Sequence, residues 1–188
     1  GVPSAVPETP AESEPPAGEL ACWDGTQSDE GAGCPALTGP EALTWVFSVD
    51  GAQPADCTPL EEAFEPAGAE DILLCTWEDL PGSEVYLARY PEPASATQDA
   101  WREYMSAYEE FSESELLDQN GDPILQLEGT DSGEIAAAEF VLSYTEAPFV
   151  ADVWTDLVNA TPEQHSEALA RLQFRDVASL AEAQQAAG

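Results

Sequence analysis

The spacing of apolar positions changes period along this chain, and each change marks an element. LTWVFSV (43–49), DILLCTW (71–77) and EVYLARY (84–90) are short runs rich in β-branched and aromatic residues. They predict three strands, the last two paired around Pro81-Gly82. The intervening GAQPADCTPLEEAF reads as a turn and one helical turn. SATQDAWREYMSAYEEF then shifts to helical spacing. Trp101, Tyr104, Met105, Tyr108 and Phe111 fall three or four residues apart on one stripe, read as core, with the lining of a ligand pocket as the alternative. Ser95 and Gln98, with Pro93 before them, fit a capping box at its start.

The second half repeats this order. ILQLE (124–128), EIAAAEFVLSY (134–144) and FVADVWTDLV (149–158) predict strands, with turns at 130–133 and 147–148. A helix follows, with Thr161 as N-cap, Pro162 in its first turn and Gln164 completing a capping box. Ala168, Leu169 and Leu172 form its buried side, and Val177 and Leu180 anchor a last helix over 176–187. Each half reads strand, strand, strand, helix. The expected fold class is therefore α+β: an antiparallel sheet covered by helices on one face, with two pseudo-repeated halves that share no residue-level repeat.

Residues 1–20, GVPSAVPETPAESEPPAGEL, have no apolar periodicity. Pro favours extended polyproline II and the Glu residues repel one another, so the segment reads as a stiff solvated linker ahead of one domain over 21–188. A linker of this kind commonly tethers an ectodomain. No 18-residue apolar run or signal peptide is present, and a membrane anchor is expected upstream of Gly1.

Charge narrows the partners. The 188 residues carry 38 Asp and Glu against four Arg, for a formal net charge of -34. Such a surface repels phosphate backbones and anionic headgroups, which disfavours nucleic-acid and membrane-surface binding and favours a cationic partner. The same coat suits a salt-tolerant organism. With 43% hydrophobic residues, the chain nevertheless has material for a core.

Cys22, Cys34, Cys57 and Cys75 contain no C-x-x-C pair, so neither a thioredoxin-type redox motif nor the usual zinc-knuckle spacing is present. A zinc site built from all four cysteines would lack the short loops that preorganise one. An even count favours two disulfides and an oxidising compartment. Three connectivities exist, of which sequential pairing closes the shortest loops. In CWDGTQSDEGAGC the residues between the first two cysteines include three Gly and, after Trp23, no apolar side chain larger than Ala. Packing has no means of fixing that loop, and a covalent staple does. Trp23 is expected to cover the disulfide or enter the core.

These residues carry a resemblance. Cys22, Trp23, Asp24, Gly25, Cys34, Gly39, Leu43, Trp45, Val46 and Phe47 follow a CWDG…C…G…L.WVF pattern, with further cysteines in ADC and ILLCTW. Over about residues 20–115 the chain resembles extracytoplasmic domains of actinobacterial membrane proteins, in particular C-terminal ectodomains of receptor-type serine/threonine protein kinases. The resemblance implies a fold and a location, with any kinase domain across a membrane and outside this chain. It implies no ligand.

Little else points to chemistry. His165 sits in TPEQHSEA on the polar side of its helix and reads as a solvated surface residue. Without a second His or a free Cys, base-assisted Ser, Cys or Thr catalysis has little to draw on. A carboxylate pair, as in glycosidases, remains an option, but 38 acids make any chosen pair uninformative. In DQNGDPILQLEG, Asp118, Asn120 and Asp122 take the first, third and fifth places of a calcium loop. Pro123 stands where that loop needs Gly, and Gly129 where it needs a bidentate Glu. A polar turn is the better reading, with Ca2+ the one cofactor the spacing suggests. Trp23, Asp24 and Gly25 form a candidate binding loop, in which Asp24 stabilises a turn at Gly25. The expected function is a noncatalytic sensing or protein-interaction module of an anchored protein, signalling through a change in position or homodimerisation. Two alternatives stand beside it: a secreted or lipid-anchored acidic structural or carrier protein, and a small secreted hydrolase using carboxylates. A deep cleft lined by converging carboxylates would favour the last.

Overall fold

The computed structural model describes residues 19–29, 32–49, 56–61, 65–91 and 94–187. Most of the linker, residues 1–18, lies outside them. Its last two positions belong instead to the domain, because Leu20 pairs with Ser28 between β1 (Glu19–Ala21) and β2 (Gln27–Asp29). Next come α1 (Gly39–Val46), β3 (Phe47–Val49), β4 (Asp56–Pro59), β5 (Asp71–Thr76), β6 (Ser83–Arg89) and α2 (Ala94–Met105). The second half holds β7 (Glu110–Leu117), β8 (Pro123–Asp131), β9 (Ala137–Ser143), β10 (Phe149–Asp156), α3 (Pro162–Arg171), β11 (Leu172–Phe174) and α4 (Val177–Ala186).

The architecture is α+β, built on one seven-stranded antiparallel sheet in the order β4-β5-β6-β10-β9-β8-β7. Two meanders, β4 to β6 and β7 to β10, meet where β6 pairs with β10. They differ in strand number, so the repetition of halves is approximate.

Strand alternation sends side chains to two faces. On one, Leu73, Val85, Leu87, Leu142, Ala151 and Val153 bury against Leu43 and Val46 of α1, Ala168 of α3, and Leu180 and Ala183 of α4. On the other, Ala88, Leu125, Leu127, Val141 and Val150 meet Trp101 and Met105 of α2, with Tyr90, Tyr104 and Tyr108 packed beside them. The helical cover is thus divided, three helices on one face and one on the other. Where α2 ends, the second face is left open.

Several local expectations are corrected. Residues 43–46 are helix, because Pro40 and Glu41 are helix-start residues and Ala42, Leu43 and Val46 fall on one buried side. Only Phe47–Val49 is strand, paired with β11. Cys57–Pro59, read as part of a turn, is an edge strand, while residues 51–55 and 62–64 of the same segment lie outside the described residues. Helix α2 stops at Met105, and Phe111 stands 38% exposed on β7 rather than in the core stripe. Ser95 lies inside α2, and Gln98 is buried, its amide donating to the carbonyls of Ser143 and Tyr144 at the end of β9. Pro93 lies outside the described residues. By contrast, the Thr161–Gln164 capping box forms as expected.

Both disulfides are sequential, Cys22–Cys34 and Cys57–Cys75. The second joins directly opposed residues of β4 and β5. They indicate an oxidising compartment. Among the described residues, no helix is long and apolar enough to cross a membrane.

Candidate ligand-binding site

Strands β9 and β10 each carry an acid between apolar residues in their interior: Glu139 in AAEFVLS and Asp152 in FVADVWTD. Register brings these acids to the same, half-open face. Asp152 lies opposite Val141 on one side and Tyr86 on the other; Trp154 lies opposite Glu139 and Glu84. Helix α2 and the turn after it bring Tyr104 and Tyr108 over this surface. The result is an open cavity of about 790 Å3. Its walls include Glu84, Tyr86, Tyr104, Glu139, Asp152 and Trp154, with Pro59 at the end of edge strand β4, Leu60, Glu61 and Glu65. This is the size and mixed aromatic-polar lining of a small-molecule site.

Two carboxyls lie here out of water, Glu139 at 2% and Asp152 at 3% exposure. Glu139 accepts a hydrogen bond from the Tyr108 hydroxyl, and Tyr104 and Asp152 line the cavity with it. Among the described residues, no N–H or hydroxyl group donates to Oδ1 of Asp152. Burial, and then the neighbouring Glu139, push the Asp152 carboxyl well above the usual carboxylate range. Burial also raises Glu139. Two such acids buried at diagonal positions of adjacent strands cannot both ionise cheaply. Tyr86 donates to Glu84 at 2.6 Å. Burial raises the Tyr86, Tyr104 and Tyr108 phenols, which remain donors throughout the neutral range.

No arginine offsets this charge. Arg89 binds Glu70 and Asp71, Arg102 binds Asp99 and Glu113, and Arg171 binds Asp79 and Glu167. Arg175 stacks 4.1 Å over the Trp45 ring. The chain contains no lysine.

Asp152→Asn isolates the effect of the proton on stability. A carboxyl whose folded pKa is raised contributes stability present below its ordinary value, about 3.9, and lost as pH rises through the folded value. Asn keeps the shape and cannot ionise. Its stability relative to the parent is therefore expected to be nearly unchanged at about pH 4 and to improve steadily toward about pH 8. Urea unfolding at several pH values measures this, and a pH-independent difference would contradict the raised carboxyl.

Gly129 of β8 explains how Tyr108 comes so close. It sits opposite Glu139, and a Cβ there would lie 2.6 Å from Cγ and Cδ2 of the Tyr108 ring and 3.0 Å from Met105 Cε. Gly129→Ala is expected to cost about 1–3 kcal/mol by overpacking and to displace the hydroxyl that holds Glu139. Thermal unfolding reads the first effect, and a shifted Tyr108 ring resonance in NMR spectra reads the second.

The residues singled out from sequence lie elsewhere. Trp23 donates from Nε1 to the Pro35 carbonyl at 2.8 Å and meets Trp45 edge-on at 5.9 Å. Asp24 Oδ1 accepts from the Thr26 amide at 3.0 Å and hydroxyl at 2.6 Å, with Gly25 at φ +82 forming the turn. This loop borders a second, shallower cavity of about 490 Å3 beside α4.

Asp118 accepts from the amides of Asn120 and Asp122 through Oδ1 and from that of Val177 through Oδ2. Burial raises its pKa, but these amides outweigh burial and hold the carboxyl below the usual range. It thus serves as the pin between the β7–β8 turn, where Asn120 and Asp122 also sit, and the start of α4. Among the described residues, no group of three or more His, Cys, Asp or Glu is placed to hold a metal.

His165 is not a solvated residue. It is half-buried over the opposite face of the sheet, with Nδ1 2.8 Å from Thr155 Oγ1, and burial lowers its pKa. Thr155 in turn is hydrogen-bonded to Ser83 Oγ at 3.0 Å.

Tyr104, of the aromatic stripe, does line the cavity. Glu139 and Asp152 were not singled out, although each leaves a trace in the sequence: an acid between apolar neighbours inside a strand. No protein-family model matches this chain, and neither a curated protein nor a solved structure does.

Proposed function

We propose that this chain is a noncatalytic ligand-binding domain on the extracytoplasmic side of a membrane-anchored protein, and that the cavity on the open sheet face is its recognition site. The observation that carries the reading is Asp152, a buried carboxyl that lines an open cavity and whose Oδ1 receives no hydrogen-bond donor from the described residues. Such a group costs stability, and a sequence keeps it where a ligand supplies what the fold withholds. The two disulfides agree with an extracytoplasmic location. The resemblance over 20–115 makes a receptor-type serine/threonine kinase the proposed whole protein, with the linker passing on ligand occupancy through repositioning or dimerisation.

A thermal-shift screen of cations, peptides and sugars tests this reading. At least one class is expected to stabilise the oxidised protein and to lose its effect with Asp152→Asn. If every stabilising compound acts equally on the variant, the cavity is not the recognition site. The coding sequence upstream of Gly1 tests the anchor: it should encode a membrane-spanning helix.

A second reading, a hydrolase, is favoured by the two buried carboxyls Glu139 and Asp152 in one cavity, both raised by burial, since paired carboxyls of this kind serve as acid and base. Hydrolysis of peptide or ester substrates that disappears in both Asp152→Asn and Glu139→Gln would establish the enzyme.

A further inference from the structure

We propose that the cavity takes a small organic primary amine in its ammonium form, with the N–H groups directed at Asp152 and the organic stem lying among Tyr86, Tyr104 and Trp154. This assignment rests on the reading of the cavity as a recognition site and specifies what it recognises.

Four features of the site lead to it. First, the charge within reach of Asp152 is acidic on every side. Glu84 comes from β6, Glu139 from β9 and Glu65 from the segment before β5, while the Tyr86, Tyr104 and Tyr108 hydroxyls are neutral. Since all four arginines are engaged elsewhere, the countercharge has to come from a ligand.

Second, Oδ1 of Asp152 lacks a donor among the described residues. A quaternary ammonium carries charge but no N–H, and would leave that oxygen as unsatisfied as before. A primary ammonium brings three donors, in charge-assisted bonds about twice as strong as neutral ones.

Third, the walls nearest the acids are aromatic. Tyrosine and tryptophan suit both a hydrocarbon stem and a cation over a ring face. A metal ion prefers several oxygens converging at short range, and no such group exists among the described residues.

Fourth, two buried carboxyls lie at diagonal positions of adjacent strands, Glu139 under the Tyr108 hydroxyl and Asp152 beside it. Burial raises both, so the attraction to a cation weakens as pH falls and they take up their protons. Amine affinity is therefore expected to fall with falling pH, although the amine itself stays protonated.

Isothermal titration of the oxidised chain with benzylamine, benzyltrimethylammonium, benzyl alcohol and CaCl2 separates the possibilities. Benzylamine is expected to bind saturably, at least about tenfold more tightly than the quaternary ion or the alcohol, the equivalent of one charge-assisted hydrogen bond. The same loss is expected with Asp152→Asn, whose folding is verified by circular dichroism. Glu139→Gln, which removes one of the two carboxyls but leaves Asp152 in place, should weaken the amine without restoring the alcohol.

Equal binding of the amine and either organic control overturns the assignment, as does an affinity for the amine that is unchanged in Asp152→Asn. Calcium binding that depends on Asp152 overturns it in favour of a metal. If no benzyl compound binds while another ligand class from the thermal-shift screen requires Asp152, the amine assignment fails and the recognition site stands. If nothing requires Asp152, both fall.

Discussion

Reduction of the two disulfides is expected to remove most of the stability of this domain. The bonds close loops of 12 and 18 residues in sequence separation. In the chain-entropy account each loop is worth about 3 kcal/mol, or about 6 kcal/mol together. Domains of this size are commonly stable by about 5–15 kcal/mol, so the loss is comparable with the whole. Two structural details indicate where it will be felt. The Cys22–Cys34 loop has little apolar side chain of its own, and it docks through the Cys34 amide to the Ala186 carbonyl at 2.7 Å, beside the end of α4. Cys57–Cys75 holds β4 on the edge of the sheet and, with it, the Pro59–Glu61 wall of the cavity. Urea unfolding with and without reductant measures the loss. The double variant Cys57→Ser with Cys75→Ser should lose about half of it, and ligand binding with it. A reduced protein within about 1 kcal/mol of the oxidised one would show that packing alone maintains the loops.

Trp101→Ala is expected to be the most damaging single substitution on the open face, at about 3–5 kcal/mol. Trp101 is fully buried, and with Met105 it is the main attachment of α2 to this side of the sheet. It packs edge-on against Tyr104 at 5.5 Å and Tyr90 at 6.5 Å. Losing it leaves a large void under a helix anchored by few other side chains. The same helix brings in Tyr104 and, just past its end, Tyr108, the phenol donor to Glu139. A second effect follows: ligand affinity should fall well before the protein unfolds, because Tyr108 no longer holds the carboxyl. Comparing ligand affinity at a temperature where the variant is fully folded by circular dichroism tests this. Unchanged affinity would mean that Glu139 keeps its position without α2.

The site was hard to read from sequence for a physical reason. In a chain with 38 acidic residues, identity alone distinguishes none of them. What distinguishes Glu139 and Asp152 is burial, and burial of a diagonal pair depends on the register between β9 and β10, which no local pattern fixes. Asp118 shows the converse. Its spacing to Asn120 and Asp122 suggested an ion, yet its oxygens are filled by backbone amides, one of them 59 residues away on α4. His165 looked solvated because its helix is short and polar; the Thr155 hydroxyl that claims it comes from another element.

Elements whose signals are local were legible in the amino-acid order. Paired alternating runs yielded β5, β6, β8, β9 and β10, and side chains within one turn of each other yielded the α3 cap. The count and spacing of cysteines were enough to favour two crosslinks. Long-range packing settled what depends on partners distant in the chain. It made residues 43–46 coil into a helix, set α2 on the opposite face from the other three helices, and added the polar edge strand β7 to the sheet. It also selected which two acids out of many lose their water. Local patterns record the period of a segment, whereas desolvation is a property of what is packed above it, and that is set only when the whole sheet closes.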